Sequence, residues 1–213
     1  VNGQLQSPAN MQAYFRERGI RKNSSVIIYD DGQLVDAARV FWALEAYGLS
    51  SVKILDHGFN YWVSKDLATS QDIPIVKPSQ YVATINHQRL SSKFTTQLAI
   101  HNKNKIVIDA RSNRAYKGEI SSAKRFGHIP TAINLPFNDN LMQDAGFLAL
   151  KPISELKKVY AAIPRDKKII IYCKFGRVSS TNYFALRELG HDVANYDASW
   201  REWGNDDTLP IEK

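Results

Sequence analysis

The stretch Ile-Ile-Ile-Tyr-Cys-Lys-Phe-Gly-Arg-Val-Ser-Ser, residues 169–180, contains the only cysteine of this 213-residue chain. Its first four residues form an apolar run typical of a buried parallel strand, and a short basic loop with one glycine follows. Apolar residues at helical spacing then continue to Gly190, which is a typical helix end. Strand, loop and helix in this order predict one unit of an α/β fold. Cys173 would lie at the carboxyl edge of its sheet, where such folds place their sites.

Further strand-like and helix-like patterns alternate along the rest of the chain. Runs rich in β-branched residues occupy positions 26–29, 52–55 and 106–108. Ser7 before Pro8 predicts the start of one helix, and Ser154 is the predicted cap of another. The alternation predicts an α/β fold in which helices flank a mostly parallel sheet.

Three segments near the N-terminus resemble three later segments, in the same order and at offsets of 141 to 143 positions. The matched pairs are residues 27–30 with 170–173, 41–48 with 183–190, and 56–62 with 197–203. We interpret this pattern as an internal duplication of one α/β unit. Asp30 then occupies in the first copy the position that Cys173 occupies in the second, so the first copy cannot perform thiol chemistry.

The duplication predicts how the chain is divided. Residues 1–70 would be a partial, inactive unit, residues 71–82 a linker, and residues 83–213 the catalytic unit. The counterpart of residues 81–162 would fall before Val1, so we expect the first unit to lack its N-terminal half.

The missing half gives two expectations. Either about 50–60 further residues precede Val1 in the native protein, or the fragment associates through apolar side chains that the missing half would cover. These side chains would be Met11, Tyr14, Phe15, Val40, Phe41, Trp42 and Leu44.

Composition excludes several classes of protein. The net charge is +7, but the basic residues are scattered, so we expect no nucleic-acid partner. No apolar run approaches the roughly 20 residues that cross a bilayer, so we expect no membrane association. A single cysteine excludes an intramolecular disulfide and suits the cytoplasm, although periplasmic and organellar locations stay open. We expect neither a metal nor a cofactor.

The chemistry of the loop depends on the helix that follows it. Its N-terminus would face the sulfur with free backbone N–H groups, and Lys174 and Arg177 add two cations. Such surroundings stabilise a thiolate and any anion beside it. The alternative interpretation is that Cys173 is simply a small buried apolar residue.

Four motifs together resemble the tandem-domain rhodaneses, which are sulfurtransferases with an inactive N-terminal domain and a catalytic C-terminal domain. The motifs are Asp109-Ala110-Arg111, the segment from Gly127 to Asn134, the loop from Cys173 to Val178, and the segment from Tyr196 to Trp203. The resemblance implies that Cys173 takes the outer sulfur of a small anionic donor such as thiosulfate and becomes a persulfide. Cyanide, a thiol or a protein acceptor would then remove that sulfur.

The resemblance also assigns roles to other residues. Lys174, Phe175, Gly176, Arg177 and Val178 would form the substrate-binding loop. A second set would support the loop or the donor: Asp109, Arg111 and Arg114. Arg114 would replace an arginine that family members often carry one position later, where this chain has Ala115. We expect His128, Trp200 and Trp203 to be packing residues.

Several alternatives stay open. Lys174 favours thiosulfate as the donor, but Phe175 and Arg177 fit no familiar loop, so a 3-mercaptopyruvate sulfurtransferase is the first alternative. A non-catalytic persulfide carrier is the second. A phosphatase or arsenate reductase is disfavoured, because those enzymes need arginine six residues after the cysteine, and Ser179 stands there.

Overall fold

The computed structural model describes residues 4–144 and 146–213. The helices are α1 (Pro8–Glu17), α2 (Val35–Ala46), α3 (Gly58–Ser64), α4 (Lys93–Ala99), α5 (Asn113–Tyr116), α6 (Ile153–Val159), α7 (Ser179–Glu188) and α8 (Ser199–Trp203), with a 3-10 helix at Phe137–Asn140. The strands are β1 (Val26–Ile28), β2 (Val52–Ile54), β3 (Leu90–Ser91), β4 (Lys105–Asp109), β5 (Ile133–Asn134), β6 (Leu141–Asp144), β7 (Phe147–Leu150), β8 (Lys168–Tyr172) and β9 (Val193–Tyr196).

The main sheet has five parallel strands in the order β3-β9-β8-β4-β5. Strand β8 is central, and its residues Ile169, Ile170 and Ile171 are at most 2% exposed, as a strand covered on both faces should be. Its last residue, Tyr172, pairs with Asp109 at the end of β4. The predicted strands at 106–108 and 169–172, the parallel sheet and the α/β class are therefore confirmed.

Residues 4–64, called the first segment below, carry a separate, two-stranded parallel sheet made of β1 and β2. The sequence predicted both strands, at 26–29 and 52–55. Residues 67–86 contain neither helix nor strand. Strands β6 and β7 form an antiparallel hairpin.

Helix α2 packs against α7. The Phe41 ring lies 4.9 Å from the Phe184 ring and 6.3 Å from the Tyr183 ring, measured between centroids. Glu45 accepts a hydrogen bond of 2.6 Å from the Tyr183 hydroxyl, and its carboxylate lies 3.1 Å from Nη2 of Arg187. The first segment is thus joined to the main sheet through one of the helices that cover that sheet.

The expected exposed apolar patch is largely wrong. Phe15, Phe41, Trp42 and Leu44 are all at most 5% exposed. Contact with α7 buries Phe41, and Phe15 packs edge-on against Tyr81 with ring centroids 5.0 Å apart. Tyr14 and Val40 are exposed as expected, at 47% and 43%, and Met11 is half-buried.

One of the two predicted helix caps is confirmed and the other is wrong. The Ser7 hydroxyl accepts a hydrogen bond of 3.2 Å from the Asn10 N–H, so that prediction is confirmed. Ser154 is not a cap, because α6 starts one residue earlier and Pro152 takes the cap position in extended conformation. In the described part of the chain, no helix is both long and apolar enough to cross a bilayer.

Candidate active site around Cys173

The structure places Cys173 directly after the central strand β8, with its side chain buried at 1% exposure. The Cys173 N–H donates to the Ser199 hydroxyl at 3.1 Å, and the Cys173 carbonyl accepts from the Trp200 N–H at 3.0 Å. The Lys174 carbonyl accepts from the Arg201 N–H at 2.9 Å. The start of the loop is therefore fixed by the N-terminal end of α8.

Gly176 makes the sharp turn of the loop. Its φ is +77°, and a Cβ at this position would lie 2.6 Å from both the carbonyl and the carboxylate oxygen of Asp197. The Gly176 carbonyl accepts hydrogen bonds from Ser180 Oγ at 2.9 Å, Asn195 Nδ2 at 3.0 Å and Arg39 Nη1 at 3.0 Å. These contacts hold the Gly176 carbonyl in one orientation. The positive φ of this residue is one that only glycine adopts without strain.

Several backbone N–H groups of the loop lie directly before the first residue of α7. Those of Phe175, Gly176, Arg177 and Val178 donate to no protein acceptor within residues 4–144 and 146–213. Unpaired N–H groups at a helix N-terminus, together with the positive end of the helix dipole, bind anions. The loop is therefore suited to hold negative charge on or beside the Cys173 sulfur.

The matching loop of the first segment already contains an anion. Oδ1 of Asp30 accepts the N–H groups of Gly32 at 2.9 Å and Leu34 at 3.2 Å, and Oδ2 accepts that of Ala37 at 3.1 Å. Asp30 is the residue that matches Cys173. A carboxylate at the start of α2 thus receives the kind of hydrogen bonds that the Cys173 loop has available.

The two loop cations differ in their surroundings. Lys174 is exposed, and its Nζ lies 5.7 Å from the centre of the Phe175 ring. Arg177 forms a bidentate ion pair with Asp36 of α2, with Nε–Oδ1 at 2.6 Å and Nη2–Oδ2 at 2.8 Å. The hydrogen bond from Arg177 holds the pKa of Asp36 below its usual value. In this structure the charge of Arg177 is therefore paired with Asp36, and a direct contact between Arg177 and the donor anion stays a prediction.

Asp109 and Arg111 form a buried ion pair beneath the loop. Arg111 Nη2 lies 2.6 Å from Asp109 Oδ2 and also donates to the Gly127 carbonyl at 2.7 Å. The Tyr172 hydroxyl, one residue before the cysteine, donates to Asp109 at 2.6 Å. Burial, reinforced by the charge of Asp109, holds the pKa of Tyr172 well above its usual value. These contacts join the end of β4 to the end of β8, directly before Cys173.

Arg114 lies on the surface. Its Nε is 3.2 Å from a Glu119 carboxylate oxygen, and its side chain is 69% exposed. Val178 is the residue that caps α7, and it is half-buried.

Three expected packing residues do pack. His128 stacks on Tyr116 with ring centroids 3.8 Å apart, and Trp200 and Trp203 are fully buried.

The sequence reasoning missed three residues that contact the loop: Asp36, Arg39 and Ser199. Asp36 and Arg39 lie three residues apart near the start of α2. The sequence match between α2 and α7 shows only that Asp36 and Arg39 are charged residues near the start of a helix whose counterpart follows the cysteine loop, and it does not identify their partners.

The cavities and possible ligand groups are modest. A pocket of about 220 Å³ next to the loop is lined by Gln4, Phe175, Ala198, Arg201 and Glu202. A larger one, of about 750 Å³, is lined from Arg21 to Asn86 and by none of residues 173–178. Within the described residues, no three His, Cys, Asp or Glu side chains come close enough to hold a metal ion.

Comparison with known proteins adds the relatives of this chain. A 3-mercaptopyruvate sulfurtransferase of Escherichia coli is 30% identical over an alignment of 216 positions. The alignment covers 98% of this chain and 75% of the relative. A protein of Haloferax volcanii that bears the name "Putative thiosulfate sulfurtransferase" is 34% identical over 92% of this chain and 71% of its own length.

Solved structures agree on the fold. The crystal structure of SseA, a 3-mercaptopyruvate sulfotransferase from Escherichia coli, superposes with a TM-score of 0.78 at 28% identity, over 92% of this chain and 74% of SseA. A variant of EanB in complex with hercynine gives 0.85 at 21% identity over all of this chain and 56% of EanB, a likeness of fold alone. The family model described as the rhodanese-like domain matches residues 95–206. The chain belongs to the rhodanese-like family.

Proposed function

We propose that this chain is a sulfurtransferase that carries sulfur as a persulfide on Cys173. The Cys173 thiolate attacks the outer sulfur of thiosulfate, the sulfur–sulfur bond of the donor breaks, and sulfite leaves with the bonding electron pair. Cyanide or a thiol then attacks the terminal sulfur, and the Cys173 thiolate is regenerated as the leaving group. Both steps are nucleophilic displacements that need no cofactor.

One observation carries this proposal. The N–H groups of residues 175–178 have no acceptor in the described protein, whereas the matching loop surrounds the Asp30 carboxylate with three N–H donors. A persulfide bears its negative charge one bond beyond the cysteine sulfur. Charge at that point would accept hydrogen bonds from the N–H groups of the loop, as the Asp30 carboxylate does in the first segment.

The donor is proposed on charge. Thiosulfate is a compact dianion, and Lys174 is an exposed cation beside the loop. The relative in Escherichia coli is named for 3-mercaptopyruvate, and it matches 98% of this chain, so 3-mercaptopyruvate is the second candidate donor. Phe175 and the neutralised Arg177 do not decide between the two donors.

The organisation of the chain is also a proposal. Residues 1–70 would be an inactive, partial rhodanese-like unit, residues 71–82 a linker, and residues 83–213 the catalytic unit. Its support is that helices α2 and α7, which match in sequence, pack against each other, and that Asp30 stands at the cysteine position. The single cysteine is compatible with a reducing cytoplasm, which we propose as the location.

The test is the intact mass of the protein after treatment with thiosulfate. The wild type should gain one sulfur atom, lose it on addition of cyanide, and produce thiocyanate over many turnovers. Cys173→Ser, checked for folding by circular dichroism, should gain no sulfur. Because Cys173 is the only cysteine, any sulfur on the mutant contradicts the proposal. A single stoichiometric release without turnover would support a carrier instead of an enzyme.

A further inference from the structure

Arg39 extends from α2 to the Cys173 loop. Its Nη1 donates to the Gly176 carbonyl at 3.0 Å, and its Nη2 lies 2.7 Å from Asp197 Oδ1. The guanidinium also lies over the Trp42 ring, 4.4 Å from its centre. Its side chain is 15% exposed, so these contacts are made largely out of water, where they are strong and directional. Arg39 is therefore held from three sides in contact with the turn of the loop.

The contact with Gly176 has a geometric effect on the next N–H group. In a trans peptide the carbonyl and the N–H point in opposite directions. Arg39, Ser180 and Asn195 draw the Gly176 carbonyl to one side. The Arg177 N–H, which belongs to the same peptide, must therefore point to the opposite side, away from Arg39.

The first segment indicates what lies in that direction. Leu34 matches Arg177 at the offset that relates Asp30 to Cys173. The Leu34 N–H donates to the Asp30 carboxylate at 3.2 Å. By this match, the Arg177 N–H is the counterpart of a donor that binds an anion in the first segment.

We propose that Arg39 is a positioning residue for the sulfur-transfer site, acting from the first segment through the peptide between Gly176 and Arg177. This inference rests on the proposed function, because the charge it serves is the thiolate or persulfide of Cys173. Arg39 touches neither donor nor acceptor. It fixes the direction of one N–H donor, and thereby the stability of the sulfur anion.

A matched control separates this role from simple packing. Arg187 also joins α2 to α7, through its ion pair with Glu45. Within the part of the chain that the structure describes, it forms no hydrogen bond or ion pair with residues 173–178. Arg187→Gln should weaken the same junction and leave the loop unchanged. Arg39→Gln removes both the contact with Gly176 and the pairing with Asp197.

The experiment follows the ultraviolet absorbance of the Cys173 thiolate against pH, with Cys173→Ser as the baseline. For Arg39→Gln we expect the midpoint of the transition to move up by about one pH unit, the effect of losing one hydrogen bond to a charged group. Thiocyanate formation should fall about tenfold in kcat with a smaller change in KM. Arg187→Gln should leave the midpoint unchanged.

Equal midpoints for Arg39→Gln and Arg187→Gln would overturn the proposal. If Arg39→Gln does not fold, Arg39→Lys decides, since one ammonium group cannot hold both Gly176 and Asp197 in the guanidinium geometry. Lysine should give a smaller shift in the same direction, and no shift would again overturn the proposal. Failure of the wild type to take up sulfur would refute the proposed function separately, because the absorbance comparison does not depend on a donor.

Discussion

Glu45 on α2 and Arg187 on α7 form an ion pair, with Oε1 and Nη2 3.1 Å apart, and they occupy matching positions in the two similar segments of the sequence. Phe41 and Tyr183 also match each other, and their rings lie 6.3 Å apart. A residue that contacts its own counterpart lies near a local two-fold axis. Two identical charged residues would repel each other there, so the opposite charges at 45 and 187 suit this position.

We expect Glu45→Ala to lower the free energy of unfolding by about 3 kcal/mol, because it leaves Arg187 and the Tyr183 hydroxyl without their common acceptor in a buried contact. Urea denaturation measures the change, and a double-mutant cycle with Arg187→Ala measures the coupling. Glu155→Ala, which breaks an exposed pair with Lys158, is the control and should cost less than about 1 kcal/mol. Equal losses in the two mutants would contradict a structural role of the Glu45 contact.

We expect Gly176→Ala to abolish most sulfur transfer. Its φ of +77° is strained for alanine, and the new Cβ would meet the backbone oxygen of Asp197 at 2.6 Å, so the loop must move. Gly190→Ala is the control, because φ is +79° there but the nearest atom lies 3.8 Å away. The control should lose about 1 kcal/mol of stability and keep its activity. Activity is measured as thiocyanate formation, and full activity in Gly176→Ala would show that the loop geometry is not required.

We expect Lys174→Ala to raise the KM for thiosulfate by up to about fivefold, and the KM for 3-mercaptopyruvate less. The reason is charge, since the lysine is exposed and a single exposed cation contributes about 1 kcal/mol or less to binding a dianion. Steady-state kinetics with both donors measures the effect, and Lys53→Ala in the exposed part of β2 controls for net charge. The same increase for both donors would show that Lys174 acts on the Cys173 thiolate and not on the choice of donor.

We expect Asp36→Asn to lower the KM for thiosulfate by up to about fivefold. The substitution removes a solvent-exposed ion pair, which contributes about 1 kcal/mol or less, and leaves the charge of the Arg177 guanidinium available to the donor. The gain should disappear in the double mutant Asp36→Asn with Arg177→Ala. Kinetics at low ionic strength gives the largest effect. An unchanged or raised KM in Asp36→Asn would show that Arg177 acts only as a link between α2 and the loop.

We expect the protein to lose stability above about pH 10, the usual pKa of tyrosine. Burial, as the largest cause, raises the pKa values of Tyr160, Tyr172, Tyr183 and Tyr196. These groups stay neutral in the fold but ionise in the unfolded chain. Their contribution is therefore complete below about pH 10 and is lost as pH rises toward the folded pKa values.

Urea midpoints on either side of that pH measure the loss. The control is tyrosinate absorbance in native and in fully denatured protein. If all ten tyrosines titrate alike in both, the buried hydroxyls do not contribute.

The sequence was sufficient to predict the local features of the fold. The apolar run before Cys173 predicts a strand, and Ser7 before Pro8 predicts a helix start, because each depends on neighbouring residues only. The Asp109–Arg111 motif is local for the same reason, since both residues border one strand. These features hold in the structure.

The contacts between the two segments were not visible in the sequence. Asp36 meets Arg177 across 141 positions and Arg39 meets Gly176 across 137. The residues around Asp36 and Arg39 do not indicate which distant part of the chain these two side chains contact. The burial of Phe41 was misjudged for this reason: an apolar helix face predicts a partner but does not say that α7 is that partner.

The carboxylate of Asp30 is held by three backbone N–H groups, and this contact indicates how tightly the matching Cys173 loop should bind a persulfide. Asp30 is a permanent anion that no reaction has to remove. A persulfide must be removed in every cycle, and hydrogen bonds that favour its formation equally oppose the departure of its sulfur to an acceptor. A loop that bound sulfur as completely as its counterpart binds Asp30 would load quickly and discharge slowly. Turnover is therefore fastest when the hold on the persulfide is intermediate.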